Sequence, residues 1–165
     1  MLRLARRDDY PGRNDNPVGE PIRLLKMSTE VHEGGCVCGA VRYRTTAAPK
    51  RVSACACRWC QKRTGSALGI SVYFDKRDVT FLHETPRLYR LKSDAGRWIE
   101  TQFCDNCGTT VGWTLEFLPD CQGIAGGTFD QPTFWYHLER FVFARSKPNW
   151  LTIPHGIEVW ETMPR

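Results

Sequence analysis

Gly35-Cys36-Val37-Cys38-Gly39-Ala40-Val41-Arg42-Tyr43-Arg44 sets two cysteines one residue apart, turns on a glycine and runs into an alternating strand. Cysteines spaced by one or two residues bring their sulfurs to the same side of a tight turn. Such a turn suits a tetrahedral zinc with sulfur about 2.3 Å away. It suits a disulfide to a distant partner badly, because neighbouring sulfurs point at one centre. The pattern recurs in Cys55-Ala56-Cys57-Arg58-Trp59-Cys60 and in Cys104-Asp105-Asn106-Cys107-Gly108. Only Cys121, of the 8 cysteines, stands outside these clusters.

Outward from Gly34 the chain reads as β-structure. Ala40 to Arg44, Leu68 to Phe74, Asp78 to Leu82, Arg87 to Leu91 and Trp98 to Phe103 alternate between apolar and polar residues. Thr110 to Phe117, Gly123 to Ala125, Phe141 to Arg145 and Ile157 to Trp160 are further strand candidates. Only Arg58 to Thr64 reads as a helix. Many short strands separated by Gly and Pro predict an all-β domain of coiled or sandwiched sheets with one short helix. No internal repeat occurs at solenoid periods.

The 165 residues are enough for one domain with a sizeable core. Hydrophobic residues make up 41% and aromatics 12%, which excludes a disordered chain. No apolar run reaches the roughly 18 residues of a membrane helix. Residues 1–30 carry the breakers Pro11-Gly12, Asn16-Pro17 and Glu20-Pro21, with little apolar pattern between them. The expectation is a loose arm over 1–30, with Met27 as an alternative start, and a compact zinc domain over 31–165. The first 26 residues lack a secretory h-region and include Asp8, Asp9 and Asp15. A cytoplasmic protein is expected, and clustered cysteines in a reducing compartment point to metal before disulfide. The net charge of +5 is dispersed, with no basic block, and argues against a nucleic-acid ligand.

The clusters divide by their flanking residues. Cys38 and Cys107 are each followed by glycine, which tolerates the positive φ of a knuckle turn. Two facing knuckles make a closed site of four thiolates, so Cys36 and Cys38 pair with Cys104 and Cys107 in a structural role. Cys55, Cys57 and Cys60 supply three ligands with no glycine after the last. Three protein ligands and an open position is the arrangement of a catalytic zinc. The alternative is a second closed site completed by Cys121 or by one of His32, His83, His137 and His155. Cys121 also reads as a small buried hydrophobe. Arg58, Lys62 and Arg63 flank the middle cluster. They are read either as charges that offset its thiolates and hold a substrate carboxylate, or as solvated helix residues.

The spacing of all three clusters, with Gly126-Gly127-Thr128-Phe129-Asp130 and Ser146-Lys147-Pro148-x-Trp150 downstream, resembles the glutathione-dependent formaldehyde-activating enzyme family. That family is also named for its relation to centromere protein V. The resemblance runs from about residue 31 to the end. It implies an Mss4-like fold of several coiled antiparallel sheets, stabilised by zinc. It implies two zinc ions per chain. One is structural, held by Cys36, Cys38, Cys104 and Cys107. The other is catalytic and labile, held by Cys55, Cys57 and Cys60. It further implies a carbon–sulfur lyase that makes or breaks the adduct of an aldehyde with a thiol, of the S-hydroxymethylglutathione type. Its partners would be glutathione or a similar small thiol, and formaldehyde. The competing reading is a non-catalytic zinc module that binds a protein or a nucleic acid. The aromatic stretch at Trp135-Tyr136-His137-Leu138 raises a homodimer as a further expectation.

Overall fold

The computed structural model describes residues 31–164, and the arm expected over 1–30 lies outside them. Two sheets make up the domain. The smaller has the order β1-β2-β5, with β1 His32–Gly35, β2 Arg42–Thr45 and β5 Val79–Phe81. The larger has eight strands in the order β11-β10-β3-β4-β9-β8-β7-β6. Its members are β3 Arg51–Cys55, β4 Gly69–Asp75, β6 Arg87–Lys92, β7 Trp98–Phe103, β8 Thr110–Leu115, β9 Leu118–Ala125, β10 Arg140–Val142 and β11 Glu158–Trp160. The α-helix of the described residues, α1, runs Arg58–Thr64, as its sequence predicts. The protein is mainly β.

Most neighbours pair antiparallel, and β6 to β9 follow one another through short turns, as alternating segments with turn residues between them should. The strand β10 departs from this, pairing parallel with both β3 and β11. That pairing brings Val142 opposite Cys55 and so closes the C-terminal segment over the end of β3.

The main core lies where the two sheets meet. Tyr43 comes from the small sheet, and Val52, Val72, Phe74, Val111 and Ile124 come from the large one; all are at most 1% exposed. Burying a side chain of this size stabilises the fold by about 1.5–3 kcal/mol. Tyr43 satisfies its hydroxyl on Thr128 Oγ1 at 2.9 Å, which docks the turn Gly126–Thr128 onto the small sheet. A second, smaller cluster of Ala54, Ala56, Phe141 and Ala144 packs Leu151, Ile153 and Ile157 against the region before α1.

The stretch around Trp135 is largely folded inward. The Trp135 ring stacks on His32 with centroids 3.5 Å apart and meets Phe129 edge-on, while Tyr136 is buried. Phe134 and His137 remain exposed. No helix among the described residues is long and apolar enough to cross a membrane.

Candidate metal centres

Cys36 and Cys38 leave β1 in a tight turn. The Gly39 amide donates to the Cys36 carbonyl at 3.0 Å, and the Val41 amide donates to Cys36 Sγ at 3.2 Å. Cys104 and Cys107 repeat the turn after β7, where the Gly108 amide donates to the Cys104 carbonyl at 2.8 Å. Gly39 and Gly108 have φ of +80° and +74°, a region where a side chain would be strained. Thr109 ties the two turns together. Its Oγ1 accepts from the Val37 amide at 3.3 Å and lies 3.2 Å from Cys107 Sγ. That hydroxyl and its neighbouring amide lower the Cys107 thiol to about 6.

The structure brings all four of these sulfurs within 4.8 Å of one another. Cys36 Sγ and Cys38 Sγ are 3.4 Å apart, and Cys38 Sγ and Cys104 Sγ are 3.7 Å apart. A tetrahedron with metal–sulfur bonds of about 2.3 Å would set its sulfurs about 3.8 Å apart. The donor set and its spacing therefore fit zinc. Cys36 and Cys104 are buried at the edge of the main core, whereas Cys38 and Cys107 face outward.

The middle cluster is built differently. Cys55 is the last residue of β3 and is buried between β10 and β4. Cys57 is the N-cap of α1, with extended φ and ψ, and its sulfur accepts from the Cys60 amide at 3.4 Å. Cys60 follows in the first turn. At the other end Gly65 takes φ +62° and returns its amide to the Gln61 carbonyl, which stops the helix after two turns. The three sulfurs lie within 4.8 Å of one another. Among the described residues neither Cys121 nor a histidine joins them. Cys121 sits on β9 opposite Asp75.

Three sulfurs this close resist ionising together without a cation. Hydrogen bonds from the Cys55 and Cys60 thiols pull the Cys57 thiol far down, helped by the Cys60 and Trp59 amides. The same contact with Cys57, then with Cys60, pushes Cys55 up. A divalent cation between them removes the conflict, which is how a soft, thiol-rich donor set takes zinc.

The basic residues of α1 divide between two faces. Arg63 turns toward the cysteines, with its Nη2 4.0 Å from Cys60 Sγ. Arg58 and Lys62 turn away and line a cleft of about 680 Å³ with Gln61, Ser66, Ser146 and Trp150. Among the described residues no cysteine and no acidic residue lines this cleft. Arg58, on its lining, is the residue after Cys57. Gln61 joins two parts of the lining by donating to the Ser146 carbonyl at 3.0 Å. The charged residues around the cluster were visible in the sequence, but Trp150 as a cleft wall was not, because a chain separation of about 90 residues intervenes.

The family model for glutathione-dependent formaldehyde-activating enzymes matches residues 31–143. A solved Rhodobacter sphaeroides protein, a structural-genomics target, is 19% identical, with a TM-score of 0.49 over 78% of this chain and 98% of that chain. No curated protein matches the chain.

Proposed function

The chain belongs to the glutathione-dependent formaldehyde-activating enzyme family, and from that premise we propose that it is a zinc-dependent carbon–sulfur lyase acting on the adduct of glutathione, or a similar small thiol, with formaldehyde. The single observation that carries this reading is the inequality of the two cysteine clusters. Four sulfurs converge in one and three in the other. A closed set of four suits a structural zinc, whereas three leave a position for substrate.

Cys36, Cys38, Cys104 and Cys107 would hold the structural ion, and Cys55, Cys57 and Cys60 the labile catalytic one. When bound at the middle cluster, zinc supplies Lewis acidity and lowers the pKa of a coordinated thiol. The rest falls to the chain. Arg58 and Lys62 offer charged donors to the carboxylates of a thiol peptide lying along the cleft, and Trp150 offers an aromatic wall. Arg58 directly follows Cys57 and Lys62 lies one turn further along the helix, so a peptide anchored at the Arg58 end of the cleft would have its thiol nearest the sulfur cluster.

In the forward reaction the thiolate sulfur adds to the carbonyl carbon of formaldehyde. A C–S bond forms, the C=O π pair moves to oxygen, and that oxygen takes the proton released by the thiol. The reverse breaks the C–S bond and returns the thiol and the aldehyde. No redox partner is required. Holding both reactants in line replaces a bimolecular encounter with a local one. Water suffices as the proton carrier, because hemithioacetals already form in solution.

Exchange spectroscopy with carbon-13 formaldehyde and glutathione tests the reading. The zinc-loaded chain should raise the rate of adduct exchange above the solution rate, and Cys57→Ser should return it to that rate. An unchanged rate with the fully loaded chain would sink the proposal.

A further inference from the structure

We propose that Arg63 is the fixed counter-charge of the three-sulfur centre, and that it sets how readily the centre accepts a further anionic sulfur. This rests on the reading of the middle cluster as an open metal centre. Three thiolates around a divalent cation leave a net charge of −1, and a fourth anionic sulfur makes it −2. A positive charge fixed beside the ligands lowers the cost of that last step.

Arg63 has a built seat for this. Its guanidinium lies 3.8 Å above the Trp113 ring centroid, and its Nη2 lies 4.0 Å from Cys60 Sγ. Trp113 is 3% exposed, and its Nε1 donates to Tyr73 Oη at 3.3 Å. The seat is a cross-strand row. Tyr73 on β4 faces Gly123 on β9, which faces Trp113 on β8. The indole crosses over Gly123 to reach Tyr73, and a Cβ at Gly123 would stand 2.5 Å from Trp113 Nε1.

Gly69, which opens β4, leaves space for the other partner. A Cβ there would stand 3.0 Å from Arg63 Nη2 and 3.5 Å from Cys60 Cβ. Two strand positions thus lack a side chain where the arginine and its indole lie. A flat guanidinium can stack on the ring face and still direct an N–H at the sulfur. Arg58 and Lys62, on the opposite face of α1, carry the same charge without this seat.

The test uses the full chain loaded with cobalt(II), and 2-mercaptoethanol as the thiol. Sulfur-to-cobalt absorption reports uptake at the middle centre, with Cys57→Ser as background. Arg63→Gln should weaken uptake about tenfold, since its charge stands 4.0 Å from the ligand Cys60 Sγ and a charge that close to the centre interacts appreciably with a further anion near a protein surface. Arg63→Lys, which keeps the charge, should recover most of the loss, and both variants should melt near the parent. The inference is overturned if Arg63→Gln takes up thiol as tightly as the parent, if Arg63→Lys loses as much as Arg63→Gln, or if the parent takes up none. The probe has no carboxylate and no aldehyde is present. A chain inactive on formaldehyde could therefore still show the Arg63 effect, which separates this inference from the proposed function.

Discussion

Cys38 Sγ lies 3.7 Å from Cys104 Sγ across a sequence separation of 66 residues. A metal shared by these two sulfurs would tie the turn after β1 to the turn after β7, and so couple the small sheet to the large one. The two inner cysteines of this group, Cys36 and Cys104, already belong to the main core. Metal binding and folding are then one process.

Cys104→Ser should therefore fail to fold cooperatively. Cys104 is fully buried, and a hydroxyl there would lose a strong metal bond while remaining desolvated. Circular dichroism melts in excess zinc check this. A soluble variant with the parent's melting midpoint would contradict the structural role.

Cys57→Ser should behave oppositely. Its sulfur caps a short surface helix that has no buried residues, so the core does not depend on it. The midpoint should move by less than about 4 °C, roughly 1 kcal/mol for a chain of this size. Thiol–aldehyde exchange should be lost. A collapse as severe as that of Cys104→Ser would make the middle cluster structural.

The cysteine clusters and α1 are legible in the sequence because each is local. Cys57, Cys60 and Gly65 lie within nine residues and define their own turn, cap and stop. β3 was not legible. Arg51–Cys55 places Val52, Ser53, Ala54 and Cys55 all in the interior, so no alternation marks it. A strand covered on both faces loses its period-two signal. β1, with two glycines in four residues, carries no apolar pattern either. β9 begins at Leu118, earlier than Gly123, because Pro119 and Asp120 stand where the strand is still solvated. The parallel pairing of β10 with β3, and the seating of Arg63 on Trp113, depend on which strands become neighbours. Neither is written in any short stretch of chain.

Removing the two cleft charges together, in Arg58→Ala/Lys62→Ala, should raise KM for glutathione about tenfold and leave kcat unchanged. Each hydrogen bond to a charged group contributes about 1.5–3 kcal/mol, part of it screened at an open cleft. Uniform binding of substrate and transition state changes KM alone. Steady-state kinetics with 2-mercaptoethanol as a carboxylate-free thiol should show no such change. An equal effect on both thiols would place the peptide elsewhere.

Gly123→Ala should destabilise the fold by about 1–3 kcal/mol, the usual cost of overpacking. The added methyl would stand 2.5 Å from Trp113 Nε1, so the indole, which is hydrogen-bonded to Tyr73 and stacked on Arg63, would have to shift. Near-ultraviolet circular dichroism should report the displaced indole alongside a lower midpoint. An unchanged spectrum would contradict the packing of that row.

Arg42 donates to both carboxylate oxygens of Asp130, joining β2 to the segment after the Gly126–Thr128 turn. That hydrogen bonding holds the Asp130 carboxyl below its ordinary value. A depressed carboxyl contributes stability above its unfolded pKa of about 3.9 and loses it as pH falls through the lower folded value. Asp130→Asn should therefore be less stable than the parent at neutral pH, with the gap closing below about pH 4. Asp130 is half exposed, so the gap should be under about 1 kcal/mol. Denaturant titrations from pH 3 to pH 7 measure it, and a gap that widens in acid would contradict the assignment.

Zinc per chain, counted by elemental analysis before and after mild chelation and with glutathione added, tests the central claim most directly. Two unequal centres predict two zinc ions, one of them removed by the chelator or displaced by the thiol, and a single resistant ion in Cys57→Ser. One ion in the parent, or two that resist chelation and thiol equally, would contradict an open centre at Cys55, Cys57 and Cys60.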